Sequence, residues 1–137
     1  MPNHVNKGFN TAVLHGNVSP TDLMLILTVP MALIHAAFAL ISLRYLTVPR
    51  PIGLPIAFYE STYYVILLNY ALLSHYSMVL LGIITLFLVI HVGGAYLYVN
   101  GALSYLSRNR NNLKYYGYYE LSELVFLIIV MTSVFTH

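Results

Sequence analysis

Four long apolar blocks follow one another along the chain, separated by short segments rich in proline, glycine, asparagine or serine. Each block is longer than a typical strand, and the block at residues 77–107 is apolar on every face of a helix. The pattern predicts an all-α protein, a bundle of about four apolar helices at residues 20–46, 56–75, 77–107 and 113–136. A polar, asparagine-rich segment at residues 1–18 precedes them and is expected to form an extended N-terminal arm.

The helix boundaries follow from local signals. Ser19 suits an N-cap, Pro20 the first helical position, and Asp22 the first turn, where the helix dipole favours an anion. Three prolines and a glycine are expected to keep the next connection free of helix: Pro49, Pro51, Gly53 and Pro55. The junction between the second and third helices is weakly marked, and we expect a turn there.

The first functional question is whether lipid or other protein subunits surround the bundle. Hydrophobic residues make up 59% of the chain and charged residues 7%, so its helices must be covered by lipid or by neighbouring subunits. Leu23–Leu43 and Met78–Leu106 are long and apolar enough to cross a bilayer. The second and fourth helices are expected to be poor spans, because polar residues, including Glu120 and Glu123 in the fourth, shorten their apolar runs.

Positive charge is concentrated in the first and last connections. An up-down-up-down path places both connections at one end of the bundle, where the basic residues would face an anion: Arg44, Arg50, Arg108, Arg110 and Lys114. Lipid headgroups and nucleic-acid phosphates both satisfy that requirement. The tyrosines gather near the same end, which favours a surface facing a polyanion. We predict non-specific contacts with the phosphates of double-stranded DNA.

The ionisable residues give few signs of catalysis. Glu120 and Glu123, three residues apart, are expected to pair with Lys114 or with Arg108 and Arg110. There is no nucleophile motif or phosphate-binding glycine loop, and we predict that the chain is not an enzyme and holds no cofactor or metal. One alternative remains open: His35 and His91 fall at similar depths on parallel helices, as the two axial ligands of a haem b would.

Small residues on the first and third helices predict close helix packing between subunits. They are Ala32, Ala36, Gly93, Gly94 and Gly101. The chain as a whole resembles the major coat proteins of spindle-shaped and tailed-spindle archaeal viruses. The resemblance lies in the arm MPNHVNKGFNTAVLHGNVSP, the apolar blocks LMLILTVPMALIHAAFALISL and MVLLGIITLFLVIHVGGAYLYV, and the basic connections. It implies many copies of one helical subunit forming a virion shell around double-stranded DNA.

The sequence therefore leaves two functions open. The first is a capsid subunit that assembles through apolar helix packing, with its basic connections lining a lumen that contains DNA. The alternative is a small polytopic subunit of a respiratory complex in the cell membrane, which could bind haem b through His35 and His91.

Overall fold

The computed structural model of the protein describes residues 18–103 and 108–136. Within them lie four long helices, α1 (Pro20–Leu43), α2 (Arg50–Leu73), α3 (Met78–Val99) and α4 (Arg110–Thr136). The prediction of an all-α bundle of four apolar helices is confirmed. Of the predicted arm, residues 1–17 lie outside the described part of the chain.

The start of α1 is the one that the sequence predicts. The Ser19 hydroxyl accepts a hydrogen bond from the Asp22 N–H at 3.0 Å, and the Asp22 carboxylate accepts one from the Ser19 N–H at 3.3 Å. This reciprocal capping box, with Pro20 in the first turn, satisfies backbone donors that have no partner inside the helix.

Helix α2 starts earlier than predicted, since the sequence pattern indicated a start near residue 56. The helix begins at Arg50 and includes two of the three prolines that were expected to exclude it. Pro51 lies in the first turn, where a backbone N–H would have no helical partner in any case. Pro55 lies one turn further on and removes one backbone hydrogen bond.

The third helix is shorter than predicted and the fourth begins earlier. Helix α3 ends at Val99, not near residue 107, and Gly101 follows with φ of +74°, a left-handed conformation that glycine adopts without strain. Helix α4 begins at Arg110, not at residue 113. The expected turn between α2 and α3 is present, and His75 lies in it with φ of 54°.

The helices pack as two pairs, α1 along α4 and α2 along α3. The pairs meet through side chains: the Tyr59 hydroxyl of α2 donates to the Leu27 carbonyl of α1 at 2.7 Å. At one end of the bundle the Arg50 guanidinium donates to the carbonyl of Val99 at 3.0 Å, and that of Arg110 lies 5.4 Å from the ring of Tyr45. We call this the basic end, because both basic connections are there, and the opposite one the far end.

The outer surface of the bundle is apolar, with large apolar side chains exposed along all four helices. The core is mainly apolar as well, but among the described residues seven buried side chains are polar or charged. Three helices, α1, α3 and α4, are long and apolar enough to cross a membrane. The prediction that the fourth helix is a poor span is wrong, because α4 is long and apolar enough despite its two glutamates, which lie on its buried face.

Candidate functional site

A group of histidines and glutamates lies buried at mid-length in the bundle, with at least one member from every helix. We call it the central cluster. It consists of His35 from α1, Glu60 from α2, His91 from α3, and Glu120 and Glu123 from α4. The two α4 residues project from one face because they are three residues apart.

His35 lies between the two carboxylates of α4. Its Nδ1 is 2.5 Å from Glu120 Oε2, and its Nε2 is 3.2 Å from Glu123 Oε1. A carboxylate can only accept hydrogen bonds when it is ionised, so Nδ1 donates to Glu120. In the neutral imidazole this places the free lone pair on Nε2, directed at Glu123.

His91 is held in the same tautomer by a different partner. Its Nδ1 is 2.8 Å from the carbonyl oxygen of Phe87, and a carbonyl can only accept, so Nδ1 carries the hydrogen. The Nε2 of His91 lies 3.2 Å from Glu123 Oε1 and 3.8 Å from Glu60 Oε2. When both rings are neutral, each histidine therefore turns an unprotonated nitrogen toward the same carboxylate; a protonated His35 would instead donate from Nε2 to Glu123 as an ion pair.

Glu123 is the centre of the arrangement. Its Oε1 accepts a 2.5 Å hydrogen bond from the Tyr64 hydroxyl, while its Oε2 has no hydrogen-bond partner among the described residues. Three other buried atoms in the same part of the structure share that condition: His35 Nε2, Glu60 Oε1 and the hydroxyl of Tyr119. A buried acceptor without a donor is costly, and a cation that binds several such acceptors removes the cost.

Three acceptor atoms lie close enough together to hold one metal ion. The ligand atoms offered by His35, His91 and Glu123 all lie within 4.8 Å of one another. Ligands about 2.0–2.1 Å from a tetrahedral metal ion are roughly 3.3 Å apart, close to the two 3.2 Å separations found here. Three protein ligands leave one coordination position open, as in catalytic metal sites.

The surroundings of the histidines fit the same interpretation. Histidines that bind metals nearly always donate their second ring N–H to a carboxylate or a backbone carbonyl, which fixes the tautomer and orients the ring. Glu120 performs this role for His35, and the carbonyl of Phe87 performs it for His91. Tyr64 in turn orients Glu123.

The sequence brought together two of the five residues of the central cluster. His35 and His91 lie at the same depth, with ring centroids 5.8 Å apart. The expectation that Glu120 and Glu123 would pair with Lys114, Arg108 or Arg110 is wrong, because both carboxylates face His35. The overlooked signal was their position on the apolar face of α4, where a pair of carboxylates needs buried partners.

The predicted phosphate-binding residues lie at the basic end, and all five are exposed: Arg44, Arg50, Arg108, Arg110 and Lys114. The ammonium group of Lys114 is 5.9 Å from the ring of Tyr118. Their contact with DNA stays a prediction.

The three predicted packing glycines do not bring the helices of one chain together, whereas Ala32 packs against the hydrophobic core. A Cβ atom at Gly93, Gly94 or Gly101 would meet nothing within 4 Å, while Ala32 and Ala36 are half-buried. Close approach occurs instead at Gly117 of α4, where a Cβ atom would lie 2.8 Å from Leu43 Cγ. Packing between subunits through the predicted residues stays a prediction.

A cavity of about 610 Å³ extends from the basic end to the central cluster. Arg50 and Asn112 lie at its mouth, and Glu60, His91 and Glu120 line its inner end. The cluster is thus buried yet accessible from one direction.

No protein-family model, curated protein or solved structure matches the chain. The function is therefore inferred from the chemistry of the central cluster and its surroundings.

Proposed function

We propose that the protein is an integral membrane protein that binds one divalent transition-metal ion in its central cluster, through His35 Nε2, His91 Nε2 and Glu123 Oε1. The observation that carries the proposal is the convergence of these three acceptor atoms, with both histidine Nδ1 atoms already engaged as donors. Of the two functions that the sequence leaves open, this develops the membrane protein and replaces its haem by a single ion.

The distribution of polarity supports the membrane. Apolar side chains such as Leu33, Val89 and Ile128 are more than half exposed, while the carboxylates are inside the bundle. Ionisable residues in membrane proteins face the interior of a bundle and mark functional sites. The basic end would lie on the cytoplasmic side, by the preference of short cytoplasmic loops for lysine and arginine.

The donor set indicates the kind of metal. Two imidazoles and a carboxylate suit Zn²⁺ or Fe²⁺, whereas Mg²⁺ and Ca²⁺ prefer sites built from oxygen alone. A divalent ion would also offset the charges of Glu120 and Glu123, two carboxylates that carry no lysine or arginine partner among the described residues. Such an ion would serve as a Lewis acid or a redox centre next to the cavity.

The same geometry favours a single ion over the haem of the alternative prediction. A porphyrin would need a flat slot between His35 and His91, and the Glu123 carboxylate lies there, within 3.2 Å of both Nε2 atoms. The ring of Tyr64 lies against His91, with centroids 4.8 Å apart.

The test is the metal content of the purified protein in lipid nanodiscs after loading with Zn²⁺ or Fe²⁺. We expect one ion per chain, and binding weakened at least about 100-fold in His91→Ala, because a ligand is lost from a three-ligand site. His75→Ala is the matched control, since His75 lies in the exposed α2–α3 turn, and should bind as the wild type does. Equal binding by the two variants would contradict the metal site.

The capsid function predicted from the sequence remains the second candidate, favoured by the exposed basic residues at one end. In that case the apolar outer faces would be buried between subunits. Electron microscopy of native material separates the two: filaments or shells containing DNA and no lipid would overturn the membrane proposal, while particles that need detergent or lipid would support it.

A further inference from the structure

The cavity above the central cluster is much larger than the passage of a metal ion requires. Its volume of about 610 Å³ falls in the range of about 300–1,000 Å³ found for sites that bury small organic ligands. We propose that it binds a neutral ring compound carrying a hydroxyl group, with the hydroxyl donating to Glu60. The proposal rests on the membrane placement above and adds a ligand class to the same site.

The walls of the cavity fit a ring compound. Apolar and aromatic side chains from all four helices face it, among them Phe38, Ala57, Ile90, Ala95, Tyr98 and Leu113. Small residues leave the space open, because Gly94 and Ala95 stand on the wall formed by α3. Flat apolar molecules gain most from such surroundings, through burial and ring contacts.

The inner end of the cavity requires a hydrogen-bond donor. Glu60 is buried, and its Oε1 has no hydrogen-bond partner among the residues that the structure describes. The other polar side chains that line this end include Glu120, whose Oε2 already accepts from His35. A ligand hydroxyl placed here would satisfy the Glu60 carboxylate, whereas an ether or ketone would leave it unpaired.

The carboxylates at the inner end disfavour an anionic ligand. An anion would meet Glu60 and Glu120 there, whereas a neutral hydroxyl compound meets no like charge and partitions into the bilayer.

The cavity leads to the cluster. Beyond it, toward the far end, the bundle is filled by side chains with almost no exposed surface, including Met31, Leu67, Ile84 and Leu127. The arrangement fits a binding site with one entrance better than a channel through the protein.

The experiment compares two fluorescent probes, 2-naphthol and 2-methoxynaphthalene, binding to the full-length protein in nanodiscs. The probes share their ring system, but only 2-naphthol can donate a hydrogen bond. We expect saturable binding of both, with 2-naphthol up to about tenfold tighter, since one hydrogen bond contributes up to about that factor. In Glu60→Leu the advantage of 2-naphthol should disappear.

Two neighbouring glycines give a matched pair for the cavity itself. Gly94 lines the cavity while Gly93 is exposed on the outer face of α3, and a Cβ atom at either position meets nothing within 4 Å. Gly94→Phe should abolish binding of both probes, and Gly93→Phe should leave it unchanged. If Gly94→Phe lowers the unfolding temperature, the smaller Gly94→Val should weaken binding in proportion to the volume that it fills.

The possible results distinguish failure of the ligand site from failure of the proposed metal site. Absence of saturable binding, equal affinity for the two probes, or equal binding by Gly94→Phe and Gly93→Phe would overturn the inference, even if the metal binds. Binding of 2-naphthol with the expected response of the variants would support it, even if no metal binds and the metal site is refuted.

Discussion

The two halves of the bundle, on either side of the central cluster, are built in opposite ways. In the half toward the far end, large apolar side chains with almost no exposed surface lie between the helices, among them Met24, Leu67, Ile84, Val130 and Val134. In the half toward the basic end the buried positions are mostly small, such as Ala39, Ala57 and Ala95, and a cavity of about 610 Å³ remains.

One set of helices therefore contains a region that stabilises the fold and a separate region that can bind a ligand. The filled half holds the helices in a fixed arrangement, and the open half leaves room for a ligand beside the cluster. The same α-helices cross both regions, so a rigid core can position the histidines and glutamates without covering them. Three kinds of substitution test this division.

The largest expected effect is on the filled half. Leu67→Ala removes a fully buried side chain and should lower the free energy of unfolding by about 2–5 kcal/mol, because it leaves a new cavity. Leu113→Ala, at the edge of the existing cavity, should cost less than half as much, since it widens a space that is already present. Thermal unfolding in detergent, followed by circular dichroism, measures both, and equal losses would contradict the contrast between the halves.

The next largest effect is expected on metal binding at the central cluster, where the two halves meet. Tyr64→Phe keeps the ring but removes the hydroxyl that donates to Glu123 at 2.5 Å. We expect Zn²⁺ affinity to fall roughly 10- to 100-fold, the usual consequence of losing a group that orients a metal ligand. Tyr70→Phe, on the same helix but outside the cluster, is the control. A metal titration that finds no difference between these variants would argue against Tyr64 as a positioning residue.

The smallest expected effect is the difference in stability between alanine substitutions at Gly117 and at Gly93. Gly117→Ala places a methyl group 2.8 Å from Leu43 Cγ and should destabilise the α1–α4 pair by about 1 kcal/mol, the strain of overpacking reduced by the higher helix propensity of alanine. Gly93→Ala meets no neighbour and should stabilise the helix by up to about 1 kcal/mol. Unfolding temperatures that move in the same direction for both would contradict the close contact assigned to Gly117.

The sequence predicts the helices better than the site. Apolar periodicity and the Ser19–Asp22 cap specify where α1 lies, because these signals act within a few residues. Pro51 and Pro55 misled the prediction of α2, since the cost of a proline depends on its place in the helix and on packing that the sequence does not display. Depth along parallel helices brought His35 and His91 together, but the rotation of α4 that turns Glu120 and Glu123 inward depends on tertiary packing.

The contribution of ligands from α1, α3 and α4 has a consequence for how the protein is made. The first ligand is synthesised long before the last, and the site is complete only when α4 has joined α1. A metal ion held there would therefore be acquired only after α4 has been synthesised and has packed against α1. It would then tie the first helix to the last, so that metal occupancy would report whether an individual molecule has completed its assembly.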